Sequence, residues 1–265
     1  MNRSAEYVYD EMLRNFEYSH IYEVDQDRGP IPTLERALQI AEENSIIRLT
    51  QGVYTCDKQI TKPGLTIEQR DKDSQVIIIG NTGPVIDVKL EKGQLVNFKR
   101  IFFAHSGIKL TEKFKEAQQD VKYRPKACVK CLAEFDITRD MDTIICVNSG
   151  GVILRECTLT LKSIPNRLNQ KFTALISFPQ TSINLINCDF IGNETDHTSG
   201  AITINSNLQV SNCRFSNFKQ GAMHIISKRD NRVVVQNCHI WSCSLVGLYL
   251  QGVNSEPQVL RCTIS

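Results

Sequence analysis

An all-β fold, a parallel β-helix with an N-terminal α-helical cap, is what this sequence predicts, on three observations. Cys157, Cys188, Cys213, Cys238 and Cys262 follow one another at intervals of 31, 25, 25 and 24 residues, and a fixed period of about 20–50 residues marks a solenoid. The apolar pattern changes phase just before each cysteine. An asparagine stands at that change in three repeats, as Asn187, Asn212 and Asn237.

The phase change gives the shape of one repeat. Val152 and Leu154, Ile183 and Leu185, Leu208 and Val210, and Val233 and Val235 lie five and three positions before a cysteine. Leu159, Phe190, Phe215, Ile240 and Ile264 lie two positions after one. The two sets have opposite parity, so one continuous strand cannot turn both inward. The chain must bend at Ile186-Asn187, Ser211-Asn212 and Gln236-Asn237, where Asn tolerates the left-handed conformation of a tight corner. A third strand is expected at Thr173–Phe178, Gly200–Ile204, Gly221–Ile225 and Gly247–Leu250. Three short strands in about 25 residues make one rung, and rungs stack roughly 4.8 Å apart. A leucine-rich repeat has a similar period but a leucine-dense strand that is missing here. A β-sandwich would not repeat the same residue types at a constant interval.

Upstream, residues 1–28 are expected to form a helical, partly disordered segment, and 29–265 the β-helix. Thr33 fits an N-cap before a helix with Leu34, Ala37, Leu38 and Ala41 on one face, and Asn44 fits its stop. Ile46–Tyr54 and Ile60–Ile67 then read as strands joined by turns. Leu95–Phe103 fits the repeat, with Ile101 at the cysteine position and Phe103 at the apolar position after it. From about 104 to 143 the period fails in a charged insertion, and Ile144–Val147 resumes the strand pattern.

The series of a helix, Ile-x-Leu-x-x-Gly-x-Tyr and Ile-x-Lys-Pro-Gly-Leu-Thr-Ile over Thr33–Ile67 resembles the entry to right-handed β-helices of the pectin-lyase-like superfamily. The Asn-Cys coils are similar to the carbohydrate-binding and sugar-hydrolase type repeats of F-box substrate receptors and SHC-binding spindle proteins. The resemblance implies a cytosolic, non-catalytic repeat. Polysaccharide hydrolases of the superfamily carry Asn-Thr-Asp, Gly-Asp-Asp and Gly-His-Gly strings, and lyases carry calcium-binding aspartates with an arginine near the scissile bond. None of those strings is present, and Asn193-Glu-Thr-Asp196-His197 departs from them at every decisive position. An enzyme is therefore not expected, and no cofactor is.

Composition agrees with a cytoplasmic chain. The net charge of +2 is too small to direct it to nucleic acid or a membrane surface. No apolar run approaches the roughly 18 residues of a membrane-crossing helix, and the acidic start lacks a signal-peptide core. The chain holds ten cysteines, and five of them form one inward column. They read as thiols acting as small hydrophobes in a reducing compartment, which would leave the sequon Asn193-Glu-Thr195 unused.

Several residues invite a functional reading beside a bland one. The position after each cysteine holds Thr158, Asp189, Arg214, His239 and Thr263. Asp189, Arg214 and His239 should stack outward on adjacent rungs, as an acid–base set or as a surface ion-pair ladder. Trp241, the single tryptophan, is an anchor for a partner or packs on a loop. Cys128-Val-Lys-Cys131 has the spacing of half a zinc site or arises by chance; a site needs four ligands, no second pair follows at a suitable distance, and Cys146 or Cys157 could contribute only if the fold brought them close. Lys109, Lys113, Lys115, Lys122, Arg124, Lys126 and Lys130 bias the insertion toward acidic partners, diluted by Glu112, Glu116 and Asp120. At Cys262 and Ile264 the sequence stops within a rung, so either it is part of a longer chain or a protein partner covers that edge, and the partner is the reading favoured. The function expected is a scaffold or protein-interaction module of a cytoskeletal or axonemal assembly, with a carbohydrate-binding or carbohydrate-active β-helix as the alternative.

Overall fold

The computed structural model describes residues 20–56, 58–80, 83–105, 141–161, 171–193, 197–227, 230–252 and 257–265. Its strands pair in parallel and form three sheets. Sheet A has nine: β1 (Ile21–Val24), β2 (Ile46–Leu49), β5 (Thr66–Gln69), β8 (Leu95–Lys99), β11 (Gly151–Arg155), β14 (Ser182–Ile186), β17 (Asn207–Ser211), β20 (Val233–Gln236) and β23 (Gln258–Leu260). Sheet B has eight: β3 (Gly52–Tyr54), β6 (Val76–Gly80), β9 (Phe102–His105), β12 (Thr158–Thr160), β15 (Asp189–Ile191), β18 (Arg214–Ser216), β21 (His239–Trp241) and β24 (Thr263–Ile264). Sheet C has seven: β4 (Gln59–Ile60), β7 (Ile86–Lys89), β10 (Met141–Ser149), β13 (Lys171–Ser177), β16 (His197–Ile204), β19 (Gly221–Ile226) and β22 (Leu248–Gln251). From β2 on, the chain visits A, B and C in turn, one strand of each per coil.

The corner between sheets A and B is a single residue in the left-handed region. Asn187, Asn212 and Asn237 have φ of 54°, 54° and 53°, as the phase change requires. Arg100, Glu156 and Arg261 turn the same corner in other coils, with φ of 56°, 54° and 53°. Coil geometry therefore imposes the conformation, and asparagine only eases it.

Each thiol points inward and back. Sγ of Cys157, Cys188, Cys213, Cys238 and Cys262 donates to the carbonyl two residues earlier, at 3.3, 3.2, 3.3, 3.2 and 3.4 Å. Cysteine thus fills the inner corner as a small apolar group while its weak S–H donor serves a backbone carbonyl. Cys157, Cys188, Cys213 and Cys238 are buried, whereas Cys262 in the last rung is half-buried. Phe103, Leu159, Phe190, Phe215, Ile240 and Ile264 stack beside the column in register. Phe190 and Phe215 lie nearly parallel with ring centroids 4.5 Å apart. Each large side chain buried this way stabilises by roughly 1.5–3 kcal/mol.

Helix α1 (Leu34–Ile40) closes the N-terminal end. Thr33 caps it by accepting from the Arg36 amide at 3.1 Å, and Leu34, Ala37 and Leu38 are buried. Lys62 explains the Lys-Pro-Gly motif: its Nζ donates to the carbonyls of Leu38, Gln39 and Ala41 at 2.9, 2.7 and 2.7 Å. A lysine on the last carbonyls of a helix satisfies their unpaired acceptors. Gly64, at φ +71°, leaves room for the Asn44 side chain that a Cβ would strike.

Three boundaries differ from the sequence reading. Sheet A begins at Ile21, inside the segment assigned to 1–28, because β1 pairs with β2 in full register; residues 1–19 lie outside the described residues. The helix ends at Ile40 with an extended Ala41 as C-cap, so Asn44 stops nothing and instead occupies a turn at φ 56°. Strand structure runs to His105 and is present again from Met141, so positions 104, 105 and 141–143 of the expected insertion are strand; residues 106–140 lie outside the described residues.

Candidate functional site

The outer face of sheet B carries the residues singled out above. Thr158, Asp189, Arg214, His239 and Thr263 are consecutive partners in parallel register. Arg214 grips Asp189 with a two-pronged contact, Nε to one carboxylate oxygen and Nη2 to the other. The Asp189 carboxylate raises the guanidinium pKa. The pair is open to water, with the Arg214 side chain 64% exposed, so its worth is about 0–1 kcal/mol. His239 is exposed and meets the half-buried Trp241 edge-on, ring centroids 6.3 Å apart.

This order decides the chemistry. An acid–base relay needs the imidazole within hydrogen-bond reach of the carboxylate. Here Arg214 occupies the rung between them and consumes both carboxylate oxygens. The face sets a guanidinium, an imidazole and an indole edge side by side along the outer side of sheet B.

The same outer column begins with apolar residues. Val53, Ile77 and Phe102 precede Thr158 in register; Val53 is 55% exposed, and Ile77 and Phe102 are half-buried. Sheet B therefore presents one stripe, apolar in its early coils and ionic in its later ones.

The remaining sequence candidates fall elsewhere. Lys122, Arg124, Lys126 and the Cys128/Cys131 pair lie outside the described residues, as does Thr195 of the sequon. Cys146 is buried on sheet C and Cys157 in the inner column. Among the described residues no group of three or more His, Cys, Asp or Glu side chains could hold a metal ion. Ile264 is 54% exposed at the last rung, with Leu245, Leu250, Val259 and Leu260 also exposed near it.

Two features escaped the sequence reading. The outer side of sheet C is dry in its middle coils: Cys146, Ile176, Phe178, Ile202 and Ile204 form a second buried apolar cluster, with Ile226 packed against it. The unbroken apolar runs Ile144–Val147 and Ala174–Ile176 signalled it, since a strand buried on both faces loses its alternation. The other is the pairing of corner residues Arg100 and Glu156 on adjacent coils, Nη1 to Oε2 at 3.9 Å. Aligning the corner position, one residue before each cysteine or its Ile101 equivalent, would have exposed it.

A family model described as right handed beta helix region matches residues 136–265, a little under half of the chain. The fold is a right-handed parallel β-helix. Among solved structures, the β-helix aligns with pectin methylesterase PemA from Erwinia chrysanthemi at TM-score 0.46 and 11% identity, covering 84% of this chain and 66% of the esterase. It aligns with a PL6 family alginate lyase, AlyGC, at TM-score 0.48 and 10% identity, covering 94% of this chain and 40% of the lyase. The chain thus spans just under two thirds of the esterase and less than half of the lyase. At such identities the likeness is one of fold alone, and no site residue is carried over from either enzyme. No curated protein matches the sequence. Among the described residues no helix is long and apolar enough to cross a membrane.

Proposed function

We propose that this β-helix is a non-catalytic scaffold, a cytoplasmic protein-interaction module within a larger assembly of cytoskeletal or axonemal kind. The observation that carries the reading is the outer face of sheet B, where the Asp189–Arg214 pair, His239 and Trp241 stand on one exposed surface. A catalytic set would need seclusion from water and groups free to exchange protons. An interaction surface needs display, an aromatic or arginine anchor and a polar surround. The similarity of the Asn-Cys coils to the repeats of F-box receptors and SHC-binding spindle proteins supports the assembly role.

The test is comparative capture from native cell extract. Wild-type protein is expected to retain a defined set of proteins, cytoskeletal components among them, that the variant Arg214→Ala/His239→Ala/Trp241→Ala does not. A glycan array and a polyuronide lyase assay run on the same preparations test the alternative. Saturable glycan binding, or turnover that the triple variant abolishes, would overturn the proposal.

A further inference from the structure

The A–B corner is turned by asparagine in three coils and by Arg100, Glu156 and Arg261 in three others, and two of these, Arg100 and Glu156, stand on adjacent coils. Asparagine relieves the left-handed strain at positions 187, 212 and 237. Arg100 and Glu156 accept the same strain without that relief, on neighbouring coils, with their amides bonded to the Arg155 and Ile186 carbonyls at 2.9 Å each. Residues held in such strain are where a hypothesis of function starts.

Arg100 is poorly satisfied. Its side chain is only 19% exposed, yet Nε is buried with no hydrogen-bond partner among the described residues. Nη2 reaches the Gln69 carbonyl at a long 3.4 Å, and Nη1 meets Glu156 only at 3.9 Å. A guanidinium has five donors in a planar fork and seeks two parallel bonds to one anion. The fork sits in a cleft of 340 Å³ whose walls include Gln75, Phe102, Glu156 and Thr158. Phe102 belongs to the apolar start of the sheet B stripe, so the cleft opens beside that face.

We propose that this cleft is a docking notch for a carboxylate, the Asp or Glu side chain of a partner protein, with Arg100 as the receiving fork. Glu156, itself half-exposed, stands in for that carboxylate at long range and swings aside when it arrives. Its own negative charge sets the preference: a single carboxylate is tolerated beside it, whereas a phosphate dianion would face stronger repulsion. The nature of the occupant rests on the interaction-module reading; the anion preference of the notch stands apart from it.

The test is a titration of the protein with acetate, and separately with a hexaglutamate peptide, while following the arginine Nε–H resonances by NMR. The Arg100 resonance is expected to move saturably with both. Glu156→Gln should tighten acetate half-saturation about three- to fivefold by removing one like charge. Arg100→Asn, followed by the backbone amide resonances of Phe102, Glu156 and Thr158 that line the cleft, should lose the saturable response to both ligands with an unchanged fold, because asparagine already turns three equivalent corners. Inorganic phosphate should bind more weakly than acetate. An Arg100 resonance unmoved by acetate at about a hundred times a millimolar Kd would overturn the notch. So would a Glu156→Gln affinity equal to wild type, or phosphate binding tighter than acetate. Hexaglutamate binding that survives Arg100→Asn would remove the notch while leaving the module reading standing.

Discussion

Sheets B and C are wound from the same coils, yet their outer faces differ in character through the middle coils. Sheet C turns Cys146, Ile176, Ile202 and Ile204 outward and buries them, while sheet B turns Asp189, Arg214 and His239 outward into water. The inner faces of both belong to one core, so the contrast comes only from the alternate residues. A face that is apolar and buried is committed to holding the fold. A face that is exposed, ionic and aromatic does little for stability and remains free for recognition. The difference teaches which side chains of this solenoid can be changed without unfolding it.

The largest effect should come from a charge placed on the dry face. Ile202 is 4% exposed, and Ile202→Asp should cost more than about 4 kcal/mol, the range for an unpaired buried charge, read as a collapse of the urea midpoint. Ile176→Ala, also at 4% exposure, should cost about 2–4 kcal/mol through lost burial and a residual cavity. A loss below about 1 kcal/mol for either would show that sheet C's outer face is not part of the folding core.

Titration sharpens the contrast next. Burial pushes the Cys238 thiol up to about 12, against an ordinary 9.0. The folded chain keeps there a proton that the unfolded chain releases above pH 9. Stability should therefore fall as pH rises from about 9 toward 12, by up to about 1.4 kcal/mol per pH unit for that thiol. Cys238→Ala should give a shallower slope in urea midpoints measured at pH 8, 9 and 10. His224 faces outward on sheet C beside Tyr249, ring centroids 6.0 Å apart, and burial lowers its pKa below 6.5. The folded state there disfavours the imidazolium, so stability should fall as pH drops below about 6.5, and His224→Asn should flatten that part of the profile. The smallest effect belongs to sheet B. Arg214→Ala should change stability by about 0–1 kcal/mol, and a loss above about 2 kcal/mol would place that face in the folding machinery.

Much of this fold is legible in the sequence. The cysteine spacing, the phase change and the three asparagines located the inner column, the corner and the outward ladder. Those signals are periodic, and parity in a strand leaves no freedom about which side a residue faces. What was hidden depends on distant chain. β1 is a four-residue strand whose one sheet neighbour among the described residues, β2, lies beyond a helix, and strand propensity over four residues cannot announce such pairing. The left-handed Arg100 and Glu156 have no propensity for that conformation; the coil on either side imposes it. Lys62 was visible as part of a motif, but its three helix carbonyls were not, because they are brought to it by the fold. The candidate face on sheet B was legible as a column of residues. That Arg214 would take both oxygens of Asp189, and so separate acid from imidazole, required the rotamers.

The central claim is that sheet B displays and sheet C holds. The most direct measurement is one pair of readings on Arg214→Ala/His239→Ala/Trp241→Ala: the urea unfolding midpoint, and capture of partner proteins from native extract. The expected result is a midpoint close to wild type with the specific partners lost. Full retention of those partners, or a chain that no longer folds, would contradict it.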